Sequence, residues 1–307
     1  MLLMASAVPP SARRFPAGET RGQLVSQEPW GRLEQVAEGV WALISTPLGG
    51  DRTTLCNGGI IAGADGALVV ESFATPDGAA WMARQTRELT GRWPSHVVMT
   101  HMHGDHTGGF EGFSSENSTL SLMTTETTVG LIRQSDKSRD QPVSAVRSQM
   151  LADVSILGLA RPTRIDLGGR TAQLIPRLGH TPSDVTVELE DPSVVFCGDL
   201  VWNRMFPNYR DTTPTLFAAS VRSLKRDRET IYVPGHGSLS DGCDLELYTQ
   251  LVDHVGEAAH SAIEAGIPIP EAAGQYSLPA SFGEWLMFSP SYFEVAFRAW
   301  ERELKGE

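Results

Sequence analysis

The chain has 307 residues, 41% hydrophobic and 20% charged, a balance that excludes a disordered or fibrous protein and leaves one large sandwich or two modest domains. Its formal net charge of -12 opposes an approaching polyanion, and no run of Lys and Arg offsets it, so no nucleic-acid partner is expected. Cys56, Cys197 and Cys243 form no CxxC pair, which argues against a disulfide framework or a cysteine zinc site and favours a reducing, cytoplasmic setting.

Residues 1–32 carry Pro, Arg, Gly and Ser without a period and read as a loosely ordered arm. The start, MLLMASAVPPSARR, has an apolar run with no basic segment before it and fits a secretory signal poorly, a truncated export signal being the alternative. From 33 to 307 a single folded domain is expected. Short runs of Val, Ile and Leu at 36–46, 58–62 and 67–71, broken by Gly and Asp-Gly, predict strands. Pro76 opens a predicted helix reaching Leu89, and an apolar strand follows from His96 to Thr100. The polar stretch at about 126–159 reads as a helical insertion without a strand.

Strand patterns resume at 163–167, 171–177, 185–189 and 194–197, with Gly-Gly and Asp-Pro at the turns. Helical spacing marks 215–225, 245–265 and 292–304, around one more strand at 230–233, and about 266–307 reads as a helical tail. No apolar stretch approaches the roughly 20 residues of a membrane span. The order predicts an α+β fold, two sheets packed face to face with helices outside.

Chemistry concentrates in residues 100–109, THMHGDHTGG. His101 and His103 are two apart, so an extended segment projects both to one side, while the turn at Gly104 sends Asp105 and His106 toward a neighbouring position. Imidazole and carboxylate suit zinc, iron or manganese, and the lack of cysteine ligands points to an open, catalytic site. Three later fragments each put a ligand type after a strand: LGHTP with His180, FCGDL with Asp199 and VPGHG with His236. His96, His254 and His260 read as surface or packing histidines, and Cys197 as a small buried apolar group. In VWNRMFPNYR, residues Trp202, Met205, Phe206 and Tyr209 are candidates for a substrate pocket, with a packed loop as the alternative.

The order HxHxDH, GHT, GD and GHG resembles the metallo-β-lactamase superfamily over roughly Leu33 to Leu251. That resemblance implies a four-layer αββα sandwich. It implies that His101, His103 and His180 hold one metal, that Asp105, His106 and His236 hold a second, and that Asp199 bridges them. Glu71 departs from the Asp usual at the end of its strand, a supporting position and not a ligand. Two divalent ions, zinc foremost with iron or manganese as alternatives, are the cofactors so implied. Water bridging two cations loses its proton near neutral pH, so a bridging hydroxide attacks a carbonyl, with Asp105 orienting it.

A bridging Asp separates the chain from dedicated β-lactamases and aligns it with glyoxalase II-like thioesterases, lactonases and nuclease relatives. GHG in place of GHE, and no basic C-terminal glutathione site, weaken the glyoxalase II assignment. A small-molecule ester, lactone or thioester is therefore the expected substrate, with β-lactams as a side activity. The alternatives are a one-iron oxidoreductase of the persulfide-dioxygenase type and a nuclease-type phosphodiesterase, the latter opposed by the acidic charge.

Overall fold

The computed structural model describes residues 22–114, 120–138, 142–158 and 161–306. Among them, the first sheet holds β1 (Gln23–Glu28), β2 (Gly31–Ala37), β3 (Val40–Ser45), β4 (Gly58–Ala62), β5 (Ala67–Val70), β6 (His96–Val98), β7 (Ser121–Thr124) and β8 (Ser155–Ile156), in that spatial order. Neighbours up to β5 are antiparallel, and β5 to β8 run parallel. Parallel pairing needs long crossovers. Helices supply them: α1 (Pro76–Thr90), the short α2 (Gly104–Thr107), α3 (Glu126–Lys137) and α4 (Ala145–Ala152). The second sheet holds β9 (Thr163–Asp166), β10 (Thr171–Arg177), β11 (Asp184–Leu189), β12 (Val194–Asn203) and β13 (Ile231–Gly237), ordered β13-β12-β11-β10-β9. Its one parallel pair, β12 with β13, is joined through α5 (Pro214–Ser223). Three helices close the chain: α6 (Gly242–Glu264), α7 (Ile269–Gln275) and α8 (Tyr292–Lys305).

Both faces of the central strands of both sheets are covered, and the strand sequences show why. In β3, Val40, Ala42 and Ile44 enter the core between the sheets, where they meet Leu174, Val187 and Phe196. The alternate residues Trp41 and Leu43 pack outward with Met82 of α1 and Ile132 of α3. Likewise Val194 and Phe196 of β12 face inward, while Val195 and Cys197 join Phe217, Leu245, Leu251 and Phe297 under the second helical layer. Apolar residues at every position of a central strand mean two buried faces, hence four layers, αββα. Local chemistry sets the helix ends. Thr75 caps α1 by accepting the Gly78 N–H at 3.2 Å, Pro76 begins it, and Gly91 closes it at φ 75.

Four expectations need correction. The arm was expected to reach residue 32, but Gln23–Glu28 and Gly31–Ala37 are paired strands; residues 1–21 lie outside the described residues. β1 is an exposed edge strand, so its QLVSQE carries no clean apolar alternation to read. The stretch at 126–159 does contain two helices, but it also contributes β8, two exposed residues that are too short for a period; 139–141 and 159 lie outside the described residues. The strand expected to end at Cys197 runs to Asn203, carrying Asp199 and Trp202 into the sheet. The tail at 266–307 is helical only at its two ends, with an irregular segment and one 3-10 turn, Ala280–Phe282, between α7 and α8.

Candidate metal centre

Strand ends from both sheets deliver the seven candidate ligands. His101 and His103 follow β6, and His103 is the N-cap of α2, so Asp105 and His106 fall on its first turn. His180 sits in the turn between β10 and β11, where buried Asp184 accepts the His180 N–H at 3.1 Å and the Thr181 hydroxyl at 2.8 Å. Asp199 lies within β12 and His236 within β13. Glycine makes the close packing possible, since a Cβ on Gly235 would stand 2.0 Å from Asp199 Oδ1.

His101, His103, His180 and Asp199 offer ligand atoms all within 4.8 Å of one another. His103 Nδ1 lies 3.1 Å from Nε2 of both His101 and His180. Asp199 Oδ2 is 3.3 Å from His180 Nε2 and 3.7 Å from His101 Nε2. Asp105, His106 and His236 form a second such set. There Asp105 Oδ2 is 3.1 Å from His236 Nε2 and 3.6 Å from His106 Nε2. The other oxygen of Asp199, Oδ1, is 3.1 Å from His106 Nε2 and 3.4 Å from His236 Nε2.

Two of the far ring nitrogens, His101 Nδ1 and His103 Nε2, are hydrogen-bonded as well. His101 Nδ1 is 2.9 Å from Thr100 Oγ1, whose hydroxyl donates to Glu71 Oε1 at 2.6 Å. With that proton committed, Thr100 accepts from His101, which leaves His101 Nε2 as a free lone pair facing the centre. Glu71 Oε1 also lies 2.9 Å from His106 Nδ1, a charge contact without an aligned hydrogen bond. Glu71 stands at φ 76, a left-handed conformation that a non-glycine residue seldom takes. His103 uses the opposite nitrogen, with Nε2 2.8 Å from Asp211 Oδ2. Carboxylate partners of this kind fix ring orientation and raise ligand basicity.

The donor set fits a cation. Buried Asp199 Oδ1, His106 Nε2 and His236 Nε2 make no aligned hydrogen bond despite their short separations. Each such group costs about 1–3 kcal/mol when left unsatisfied, and lone pairs converging on a shared point are what a metal ion takes up. Electrostatics divide the imidazoles, since despite burial the neighbouring anions hold His106, like His236, above its usual value while His101 stays below. Burial pulls the Asp199 carboxyl up, but His106 and His236 outweigh it and hold it well below the usual range. Burial pulls His236 down, and Asp199 and Asp105 push it up to about 9. Burial also drives His101 well below its usual value, toward the neutral imidazole a metal requires.

The remaining sequence candidates separate. His96 pairs with Ser95 Oγ at 2.9 Å, His254 packs on Tyr276 and Phe282, and His260 lies edge-on to Trp300; none joins the cluster. Cys197 is buried under the second helical layer. Trp202, Met205, Phe206 and Tyr209 are at most 3% exposed, so the pocket expectation is corrected for this group. Strand β12 and the packing of α5, α6 and α8 draw these side chains into the core. Only Trp202 touches the centre, its ring centroid 4.1 Å from that of His236. Asp211 was missed, because a lone Asp 108 residues beyond His103 carries no motif.

A family model for the metallo-beta-lactamase superfamily matches residues 52–236. The chain is 23% identical over 159 residues to a beta-lactamase-like protein 2 homolog of Caenorhabditis elegans, covering 52% of this chain and 47% of that protein. It is 27% identical over 158 residues to the lactamase-like protein nscB of Trichophyton equinum, covering 51% of this chain and 40% of that one. This chain thus spans less than half the length of these curated relatives. Among solved structures, a metallo-beta-lactamase from Pontibacter korlensis superposes with a TM-score of 0.58 at 21% identity, over 73% of this chain and 99% of that one. The stereoselective inverting sec-alkylsulfatase Pisa1 from Pseudomonas sp. superposes with a TM-score of 0.69 at 16% identity, over 88% of this chain and 49% of that one. At these identities the superpositions establish the fold.

Proposed function

This chain belongs to the metallo-beta-lactamase superfamily, and on that footing we propose that it is a hydrolase with two divalent cations, zinc foremost, acting on a small-molecule ester, lactone or thioester. Membership supports a metal-dependent, hydrolase-type function. The observation that carries the finer reading is Asp199, whose Oδ2 lies 3.3 Å from His180 and whose Oδ1 lies 3.1 Å from His106, one oxygen for each ligand set. Cations bound there supply Lewis acidity toward a carbonyl and acidify water.

The protein's own part is orientation and proton handling. Asp105, with 27% of its side chain exposed, is the most open acid of the two sets. Burial pulls its carboxyl up, but His106 and His236 overcome this and keep it ionised, an acceptor at neutral pH. It therefore accepts the hydrogen bond of the attacking water and sets its direction. Glu71, Thr100 and Asp211 keep the imidazoles from turning.

Elemental analysis and a panel of esters, lactones, thioesters and β-lactams test this reading. A secondary alkyl sulfate belongs in the panel because the likeness to the alkylsulfatase extends over 88% of this chain. Two metal equivalents with turnover of a carboxylic ester or thioester is the expected result. One iron per chain, with oxygen consumed in the presence of a persulfide, would overturn it. Asp105→Asn keeps the shape and loses the charge, so kcat should fall about a hundredfold with KM little changed and metal retained.

A further inference from the structure

Phe288 lies beyond the family-matched residues 52–236, in the irregular segment before α8, yet it reaches the centre. Its ring centroid is 5.4 Å from that of His236 at 85°, and 5.7 Å from that of Trp202 at 83°. Backbone pairing puts it there. Phe206 N–H donates to Leu286 O at 2.8 Å, and Leu286 N–H donates to Arg204 O at 3.0 Å, which clamps the segment onto the chain leaving β12. Arg204 also donates to Phe282 O at 3.2 Å, and Trp285 Nε1 donates to the same oxygen at 3.0 Å.

The three rings differ in what they leave open. Trp202 is only 3% exposed and spends its surface on the core, whereas Phe288, whose ring lies against His236 of the more open ligand set, is only partly buried. An aromatic surface beside ligands that face a reacting carbonyl recognises apolar area on the group attached to that carbonyl.

We propose that Phe288, backed by Trp202, is the wall of an acyl pocket and selects esters or lactones bearing an aryl or alkyl group next to the carbonyl. The proposal rests on the hydrolase reading above. In the reaction, water oxygen bonds to the carbonyl carbon, the C–O ester bond breaks, and the alkoxide oxygen takes a proton, departing as the alcohol from an ester and staying tethered as the hydroxyl of the acid from a lactone. The acid product keeps the selected group.

The test compares methyl phenylacetate with methyl acetate as substrates, and phenylacetate with acetate as calorimetric ligands of the metal-loaded protein. Wild type, Phe288→Ala and Phe288→Leu are each checked for metal content and melting temperature. Phe288→Ala should lower kcat/KM for methyl phenylacetate about tenfold or more, chiefly through KM, and change methyl acetate by less than about threefold. Phe288→Leu should restore most of the loss, and phenylacetate affinity should follow the same order while acetate affinity does not move. Equal losses on both esters, or metal loss in both variants, would mean that Phe288 merely holds His236, and the wall is refuted. Unchanged kinetics in Phe288→Ala also refute it. If no ester is turned over, the acids decide: a preference for phenylacetate that vanishes in Phe288→Ala keeps the wall while the hydrolase reading fails, and no preference in wild type removes the wall.

Discussion

Glu188 on β11 and Asp199 on β12 are carboxylates of adjacent strands, each no more than 4% exposed, and the chain treats their charges in opposite ways. Glu188 is closed by its own neighbours. Its Oε1 accepts from Arg177 Nη2 and Thr186 Oγ1, both at 2.7 Å, and its Oε2 accepts from Arg226 Nη2 at 2.6 Å. Asp199 meets no guanidinium among these contacts, only four imidazoles at 3.1 to 3.7 Å, and its Oδ1 has no aligned partner. Burying a carboxylate is costly in both places. Where the chain completes the charge, the group is architecture; where it gathers lone pairs with no guanidinium among them, the group is a candidate binding site.

The sharpest way to break this contrast is to remove lone pairs from the open cluster. His180→Ala or His236→Ala should lower activity by about a thousandfold or more while the fold survives, because each takes away a proposed ligand and not a packing core. His254→Ala and His260→Ala, on α6 and outside the cluster, should stay within a few-fold. Steady-state rates with circular dichroism on all four variants check this, and equal sensitivity of the helix histidines would cancel the ligand assignment.

A smaller effect is expected one contact further out. Asp211→Asn keeps a hydrogen-bond acceptor near His103 Nε2 but loses the charge, so metal affinity should drop about tenfold to a hundredfold. Chelator competition measures it directly, and an unchanged affinity would make the 2.8 Å contact incidental.

The smallest effect belongs to the closed cluster and concerns stability alone. Burial raises the Glu188 carboxyl, but the bonds from Thr186 and Arg177 and the charge of Arg226 prevail and hold it below its usual value. A carboxyl depressed on folding stabilises the fold above its unfolded pKa, about 4.3, and gives that stability up as pH falls through the folded value. Glu188→Gln should therefore cost about 1–2 kcal/mol at pH 7, and less as the pH drops below about 4, with activity per folded molecule unchanged. Urea titrations at the two pH values decide it. A gap independent of pH would remove the ion pairs as its source.

Much of the centre was legible because metal chemistry admits few residue types and strands deliver them in recognisable local order. Asp199 and the six candidate ligands that the structure gathers around it stand in four short fragments, and the central strands declare two buried faces by being apolar at successive positions. What the residues around those ligands do was decided elsewhere. The motif that named His103 is silent about Asp211, which meets it only because the chain beyond β12 folds back over the site. VWNRMFPNYR has the composition of a pocket wall and of a core alike, and the helices packed over the second sheet make it core. Phe288 reaches His236 because Leu286, two residues before it, makes backbone hydrogen bonds to residues about eighty positions earlier, Arg204 and Phe206. Ligand identity is a property of single side chains and their immediate spacing, so sequence determines it; burial, and the company a side chain keeps, depend on surfaces brought together from distant segments, which only the packed chain can specify.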